Sequence, residues 1–263
     1  MMKSLFTAAT GMLANQTVVD TTANNLANVD TTGFKRSQVE FQDLLYQTVR
    51  SPGTQGATGY EVPTGIQIGS GVRTSAISKI FTPGVEEATQ NQFDMSINGQ
   101  GFFQILMPSG EFRYTRDGSF RPNSTGQLVT ADGFLLQPPI SVPIDTTSVT
   151  IGTDGTVSVV TGGNPTASLI VGNISLTRFT NPSGLASEGR NLFEQTTASG
   201  PPLPGIPSTN GLGSLQQGFL ERSNVQVVTE MIRLITAQRA FEASQRAVLT
   251  SDQMLRTSND MVR

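Results

Sequence analysis

The sequence predicts an α+β fold: long N- and C-terminal helices paired as a coiled coil, with a β-rich, sandwich- or barrel-like body between them. Three observations predict it. Leu5, Ala9, Met12, Gln16, Val19, Ala23 and Leu26 at the front, and Val227, Met231, Leu234, Gln238, Phe241, Gln245, Val248 and Leu255 at the rear, recur in steps of four and three, with Asp252 as a polar exception. That is the spacing of a coiled-coil seam. All 14 prolines fall between Pro52 and Pro207, and neither Gly nor Pro occurs after Gly218, so helix breakers are confined to the middle. That middle also carries four turn pairs, Asn98-Gly99, Asp117-Gly118, Asp132-Gly133 and Asp154-Gly155, which read as hairpin turns because both residue types accept a positive φ.

The front helix runs from about Ser4 and stops near Asn28, where the Asn24-Asn25-Leu26-Ala27-Asn28 stretch tolerates the left-handed geometry of a helix end and Gly33 permits a turn. The rear helix starts at a Ser-x-x-Gln capping box, Ser223 with Gln226, and continues for about 37 residues, roughly 55 Å at 1.5 Å per residue. Glu230 with Arg233, Glu242 with Arg246 and Asp252 with Arg256 add favourably oriented charge pairs, each worth a few tenths of a kcal/mol. Residues 102–106, 112–115, 127–129, 134–136, 156–160, 168–171 and 174–179 read as strands. Residues 51–71 and 196–213 read as extended connectors, the first either a contact arm or a flexible linker. The resulting organisation is a terminal helical domain from 1–30 and 220–263, a connector or contact arm from 31–80, a β body from 81–200 and a return connector from 201–219.

One helix pair is marginal by itself, because its seam side chains must offset the ordering of about 60 backbone units at about 1 kcal/mol or more apiece. Val228, Ile232 and Ile235 lie beside the rear seam, so Met231-Ile232 and Leu234-Ile235 are apolar over more than one face and one partner cannot cover them. The expectation is that the ends order when copies of the chain surround them. Gln16, Gln238 and Gln245 on the seam either fix register or are edge positions facing water.

Composition narrows the chemistry. With no His and no Cys among 263 residues, the commonest general base, the usual zinc ligand, thiolate sites and disulfides are all missing. A net charge of −3 gives no field for nucleic acid, and no apolar run approaches a membrane span, so neither nucleic-acid binding nor membrane insertion is expected. No cofactor, metal or catalytic site is expected. Gly99-Gln100-Gly101-Phe102 lacks the third glycine of a dinucleotide fingerprint and reads as a hairpin. Asp94, Glu111, Asp117, Asp132 and Asp154 could in principle form a glycosidase pair, but three of the five precede Gly, where turn geometry explains Asp better. Arg113, Tyr114, Arg116 and Arg121 read as a solvated strand face with local ion pairs.

Specific motifs then point to a family. Asn24-Asn25-Leu26-Ala27-Asn28 followed by Thr32-Gly33-Phe34-Lys35-Arg36, Ile97-Asn98-Gly99-Gln100-Gly101-Phe102-Phe103, Tyr114-Thr115-Arg116-Asp117-Gly118-Ser119-Phe120, Ser223-Asn224-Val225, Ala237-Gln238-Arg239-Ala240-Phe241-Glu242 and Asp252-Gln253-Met254-Leu255 resemble the flagellar axial proteins, the rod and hook family of the bacterial basal body. Phe41-Gln42-Asp43-Leu44-Leu45-Tyr46-Gln47, the Gly-rich arm after it and a length without the extra outer domain of hook protein are most similar to the distal-rod subtype, with a proximal-rod or hook-type subunit as the alternative. Phe241 stands where relatives often have Tyr.

The resemblance implies a structural subunit of a hollow helical tube, exported unfolded by the flagellar type III export apparatus and polymerised across the periplasm to transmit torque. Its implied partners are itself, the proximal rod proteins, the hook protein and the L and P ring proteins. The self-assembly residues expected are Leu5, Met12, Val19, Leu26, Asn24, Asn25, Asn28 and Phe34 at the front, with Met231, Ile232, Leu234, Ile235, Phe241, Val248 and Leu255 at the rear. Rival readings are an envelope-binding coiled-coil module forming a discrete trimer, and a peptidoglycan hydrolase using the body's carboxylates.

Overall fold

The computed structural model describes residues 2–52, 64–162 and 168–261. The chain forms two compact units, the first made of Met1–Ala27, Ser37–Ser78 and Gln226–Arg263, the second of Asn28–Arg36 and Lys79–Val225. The class is α+β, with a helix at each terminus and a β-rich body whose main sheet curves as a half-barrel.

In the first unit the helices are α1, Met2–Ala27, and α2, Val227–Asp260. α1 is rich in Thr and Asn, poor helix formers in isolation. Their polar groups are satisfied within the helix: Thr7, Thr17 and Thr21 donate to carbonyls four residues back, as does the Asn15 amide. α2 begins at Val227 with Gln226 as N-cap and no side-chain cap bond. The expected capping box is absent because Ser223 is buried in the other unit, where its hydroxyl accepts from the Val225 amide at 3.3 Å.

The helices run antiparallel. Ser4 Oγ lies 3.4 Å from Ser251 Oγ, a Cβ on Gly11 would sit 3.4 Å from Ser244 Oγ, and Asn25 donates to Glu230 Oε2 at 3.2 Å. The rest of the unit is a ribbon: Ser37–Asp43 pairs with Val72–Lys79, and Gln47–Arg50 pairs antiparallel with Ile66–Ile68. Of the arm expected at 51–71, residues 53–63 lie outside the described residues. The flanks are strand, not connector.

The second unit holds the core. Phe102–Leu106 is its central strand. One edge pairs with Phe112–Thr115, and the other is divided between Leu135–Gln137 and Leu176–Arg178. Phe112–Thr115 continues through Leu192–Glu194 to Ala186–Gly189, and Leu135–Gln137 through Leu128–Val129 to Arg121–Pro122. A second sheet is the meander Thr146–Ile151, Thr156–Thr161, Ser168–Asn173. Two further pairs bring in the C-terminal part: Met95–Asn98 with Ser214–Gln217, and Glu86–Ala88 with Phe219–Glu221. Alternation along Phe102–Leu106 sends Phe103 and Ile105 into a core with Phe120, Leu136, Val157, Val159 and Leu176. Phe102 points the other way, edge-on to Phe81, Phe179 and Phe193.

Several sequence expectations need correction here. Asp132-Gly133 and Asp154-Gly155 close antiparallel hairpins, with Gly133 and Gly155 both at φ 86°. Asn98-Gly99 and Asp117-Gly118 do not, since Met95–Asn98 pairs with Ser214–Gln217 and Phe112–Thr115 with Phe102–Leu106. Their glycines serve close backbone approach: a Cβ on Gly99 would meet Gly213 Cα at 2.9 Å, and one on Gly118 would clash with the Met95 carbonyl. The run beginning at Gly99 is therefore no hairpin either. Within 196–213, Leu203–Gly205 is a strand on Leu176–Arg178, not a loose connector. Pro204 is compatible with it because this strand is an edge, where a missing N–H breaks no ladder.

Candidate assembly surface and buried ionic centre

Burial along α1 and α2 fixes which faces meet. On α2 the inward row is Glu230, Leu234, Ala237, Phe241, Ser244, Val248, Ser251 and Leu255, a four-three repeat of buried and half-buried residues. Leu234, Phe241, Val248 and Leu255 stand on the expected seam. The alternate position is shifted by one: Glu230, Ala237, Ser244 and Ser251 replace Met231, Gln238, Gln245 and Asp252, and Met231 is 48% exposed.

On α1 the buried residues are Ala14, Thr22 and Asn25, and Ser4, Gly11 and Asn25 are the ones set against α2, while Gln16 and Ala23 are exposed. Leu5, Met12, Val19 and Leu26 form a half-buried flanking row. The reason is steric. Small side chains let the helix backbones approach closely, and a seam of Met and Leu would hold them apart. The glutamines accordingly face water as edge positions.

Several large apolar side chains point outward. Val228, Met231, Ile232 and Ile235 on α2, and Phe6 and Leu13 on α1, are exposed, Val228 by 71% and Phe6 by 69%. Open grooves also remain in this unit. One of about 390 Å3 lies among Val18, Thr22, Gln38, Glu230 and Ala237, and one of about 690 Å3 among Ala8, Ile68, Gly69, Ser244 and Ala247. The first unit thus shows an amphipathicity opposite to that of a self-sufficient helical hairpin.

The asparagine motif has separate duties. Asn24 is exposed and Asn28 half-buried. Asn25, 1% exposed, pairs like a strand with Ser37, donating to its carbonyl at 2.9 Å and accepting from its amide at 2.8 Å. Phe34 is half-buried, with the Lys79 ammonium 4.9 Å above its ring.

The second unit contains an ionic centre that sequence reasoning missed. Glu221, 2% exposed, accepts hydrogen bonds on Oε1 from Lys35 Nζ and, at 2.9 Å, from the Gly84 amide, while Arg116 Nε forms an ion pair with Oε2 at 3.0 Å. Lys35 Nζ also donates to the Thr82 carbonyl at 2.8 Å, while Arg116 donates to the carbonyls of Gly99 and Gly101, both at 2.7 Å. Backbone carbonyls thus share both buried cations with the carboxylate. Burial pushes the Lys35 ammonium below its ordinary range, against the attraction of Glu221, and acts on Arg116 in the same direction.

Neighbouring motif residues complete the frame. Gly33, at φ 67°, donates to the Glu221 carbonyl at 2.8 Å, and a Cβ there would meet the Asp117 nitrogen at 2.6 Å. Asn224 accepts from the Arg36 amide at 2.8 Å and donates to the Ile80 carbonyl at 2.8 Å.

The basic-aromatic cluster is therefore not a solvated face: Arg113, Tyr114 and Arg116 are buried, and Arg121 alone of the four is exposed. Arg113 does carry local ion pairs, to Glu188 at 2.6 Å and Glu111 at 2.9 Å. The hydrogen bond to Arg113 holds the Glu188 carboxyl below its ordinary range. The carboxylates of the hydrolase reading have structural partners: Asp94 accepts from Thr89 and Asn91, Asp117 from Thr32, and Asp154 from Thr156. Asp132 sits exposed in its hairpin turn.

No described helix is long and apolar enough to cross a membrane, and no group of three or more acidic residues among the described ones could hold a metal ion.

Three family models match the chain. They are the flagella basal body rod protein model over residues 5–35, the D1 domain of flagellar hook protein FlgE/F/G over 96–159, and the C-terminal model of flagellar basal body rod FlgEFG protein over 216–261. The first contains α1 and Lys35, the second Arg116, and the third Glu221 and α2, so each contributes one member of the ionic centre.

Among full-length relatives, the flagellar basal-body rod protein FlgG of Borreliella burgdorferi is 45% identical over 267 residues, covering all of both chains. That of Caulobacter vibrioides is 45% identical over 99% of each. The FlgF rod protein of the same bacterium is 36% identical over 86% of this chain and 83% of its own. With that identity spanning both units, the chain belongs to the flagellar basal-body rod protein family of the FlgG kind and is a structural subunit of the basal-body rod.

Proposed function

We propose that the chain polymerises through heterologous head-to-tail contacts into the hollow helical tube of the distal rod, crossing the periplasm and carrying torque to the hook. The observation that supports this most is the outward face of α2, where Val228, Met231, Ile232 and Ile235 are exposed while the helix pair buries small residues. A neighbouring copy that covers those side chains gains roughly 1.5 to 3 kcal/mol for each large one fully buried. Leu5, Met12, Val19 and Leu26, half-buried beside the seam, are the second assembly row, with Leu234, Phe241, Val248 and Leu255 facing them within and between copies as a coiled coil. Asn24, Asn25, Asn28 and Phe34 set the exit of α1. The exposed ribbon carrying Leu45, Tyr46 and Val49 is the contact arm.

The partners are further copies, the proximal rod proteins below, the hook protein above, the surrounding L and P ring proteins, and the type III export apparatus that delivers the chain. The domain reading follows: a terminal helical domain from 1–30 and 220–263 lines the tube, and the β body runs from 81–200. Sedimentation of the purified chain over a concentration series tests it, with helical reconstruction of the assembled material. Monomer that elongates above a threshold concentration is expected, and removal of residues 1–28 or 225–263 is expected to leave a β-rich monomer. A discrete trimer that saturates, or filaments formed by either truncation, would overturn it.

A further inference from the structure

The three charged groups of the buried centre do not depend on one another equally. Arg116 belongs to the middle of the second unit and Glu221 to the strand Phe219–Glu221, which has its own partner in Glu86–Ala88 and a further bond from the Arg222 amide to the Val85 carbonyl at 2.9 Å. Glu221 and Arg116 together make a neutral pair that can be buried as it stands. Lys35 has no such independent compensation. Its side chain is fully buried, and among the described residues the carboxylate of Glu221 is its salt-bridge partner.

The segment that carries Lys35 leans on the same strand and the residues just after it for its backbone, through Gly33 N to Glu221 O and Arg36 N to Asn224 Oδ1. Contacts that do not involve that strand hold Thr32 through Asp117 and Asn191, the Lys35 ammonium through the Thr82 carbonyl, the Lys35 carbonyl through Lys79 Nζ at 3.3 Å, and the Arg36 carbonyl through Ile80 N, but none of them supplies a negative charge to the Lys35 ammonium. The dependence is therefore unequal: Glu221 keeps Arg116 without Lys35, whereas Lys35 without Glu221 loses its compensating charge.

We propose that docking of the connector Asn28–Arg36 onto the second unit is conditional on prior seating of Phe219–Glu221, with Glu221 as the latch that admits Lys35. The front connector stays undocked until the rear of the same chain has arrived, whichever end emerges first. This couples completeness of the chain to rigidity at the exit of α1. It concerns the folded monomer and is independent of how copies assemble.

Hydrogen exchange of the full chain, read by mass spectrometry on peptides spanning 30–36 and 217–224 through a series of low urea concentrations, tests the order. The front peptide is expected to open at lower urea than the rear one, as its own cooperative unit. Glu221→Gln is expected to speed exchange of the front peptide on the order of 100-fold, by leaving the Lys35 charge uncompensated. In a Lys35→Met background, where the front segment no longer carries a charge that needs the latch, Glu221→Gln still unpairs Arg116 but is expected to change the front peptide less than about tenfold. A front peptide that keeps its protection in Glu221→Gln, or a rear peptide that opens while the front one stays closed, overturns the proposal. If Glu221→Gln also strips protection from Phe102–Leu106, the urea series on the unsubstituted chain decides alone.

Discussion

The two compact units use apolar side chains in opposite ways. In the second, alternation along Phe102–Leu106 and Thr156–Thr161 sends Phe103, Ile105, Val157 and Val159 inward, each essentially without exposure. In the first, the helices meet through Gly11, Ser244, Ser4 and Ser251, while Ile232, Ile235 and Phe6 point out. A region that hides its large side chains is complete as a monomer, whereas one that leaves several of them exposed is shaped for neighbours. Each unit also places a buried glutamate from the rear of the chain against a residue of the front motif, Glu230 on Asn25 and Glu221 on Lys35.

Substitutions on the two sides should break or sharpen this contrast. The largest effect belongs to Phe103→Ala, which empties a fully buried site of the second unit and should cost about 3 to 5 kcal/mol. Urea unfolding followed by the fluorescence of buried Tyr114 reads it, and a loss below about 1 kcal/mol would mean this core is less consolidated than its burial indicates. Ile232→Asp should behave in reverse: monomer stability should stay within about 0.5 kcal/mol, as for an exposed site, while the concentration needed for assembly rises at least about tenfold. Light scattering across a dilution series measures it, and unchanged assembly would remove α2's outward face from the interface.

Gly11→Ala probes the close approach itself. The new methyl would stand in ordinary contact with Ser244 Oγ, so relief of helix-interior glycine should stabilise α1 by roughly 0.5 to 1 kcal/mol. Far-ultraviolet circular dichroism on heating would show it, and destabilisation would place the backbones closer still. The smallest effect is in pH. The Glu188 carboxyl is lowered from its ordinary 4.5 by Arg113, so the unfolded chain takes up this proton first as the solution is acidified. The stabilisation from this pair, exposed on its Glu188 side, is complete above pH 4.5 and fades as pH falls through the lower folded value; an Arg113→Met chain should lose that part of the acid sensitivity.

The seam was half legible in the sequence. Heptad spacing is visible at both ends, but two registers one residue apart both satisfy it, and large side chains mark the wrong one on α1. What decides is backbone distance, which appears in no single helix. The ionic centre was less legible. Nothing local to Lys35 marks it as buried, and its carboxylate partner lies 186 positions away. The motif carrying Lys35 did mark the place, without the reason.

The sequence by itself determined that the ends are helical, that the middle is β-rich and that residues 132–133 and 154–155 turn, because periodicity, helix breakers and positive-φ residues act over a few positions. It also placed the chain in its family through motifs spread along it. Only the tertiary structure decided which helix face is inside, which glycines serve turns and which serve close packing, and which charges are buried. Those depend on surfaces meeting across long separations, where steric fit and desolvation have no local signature.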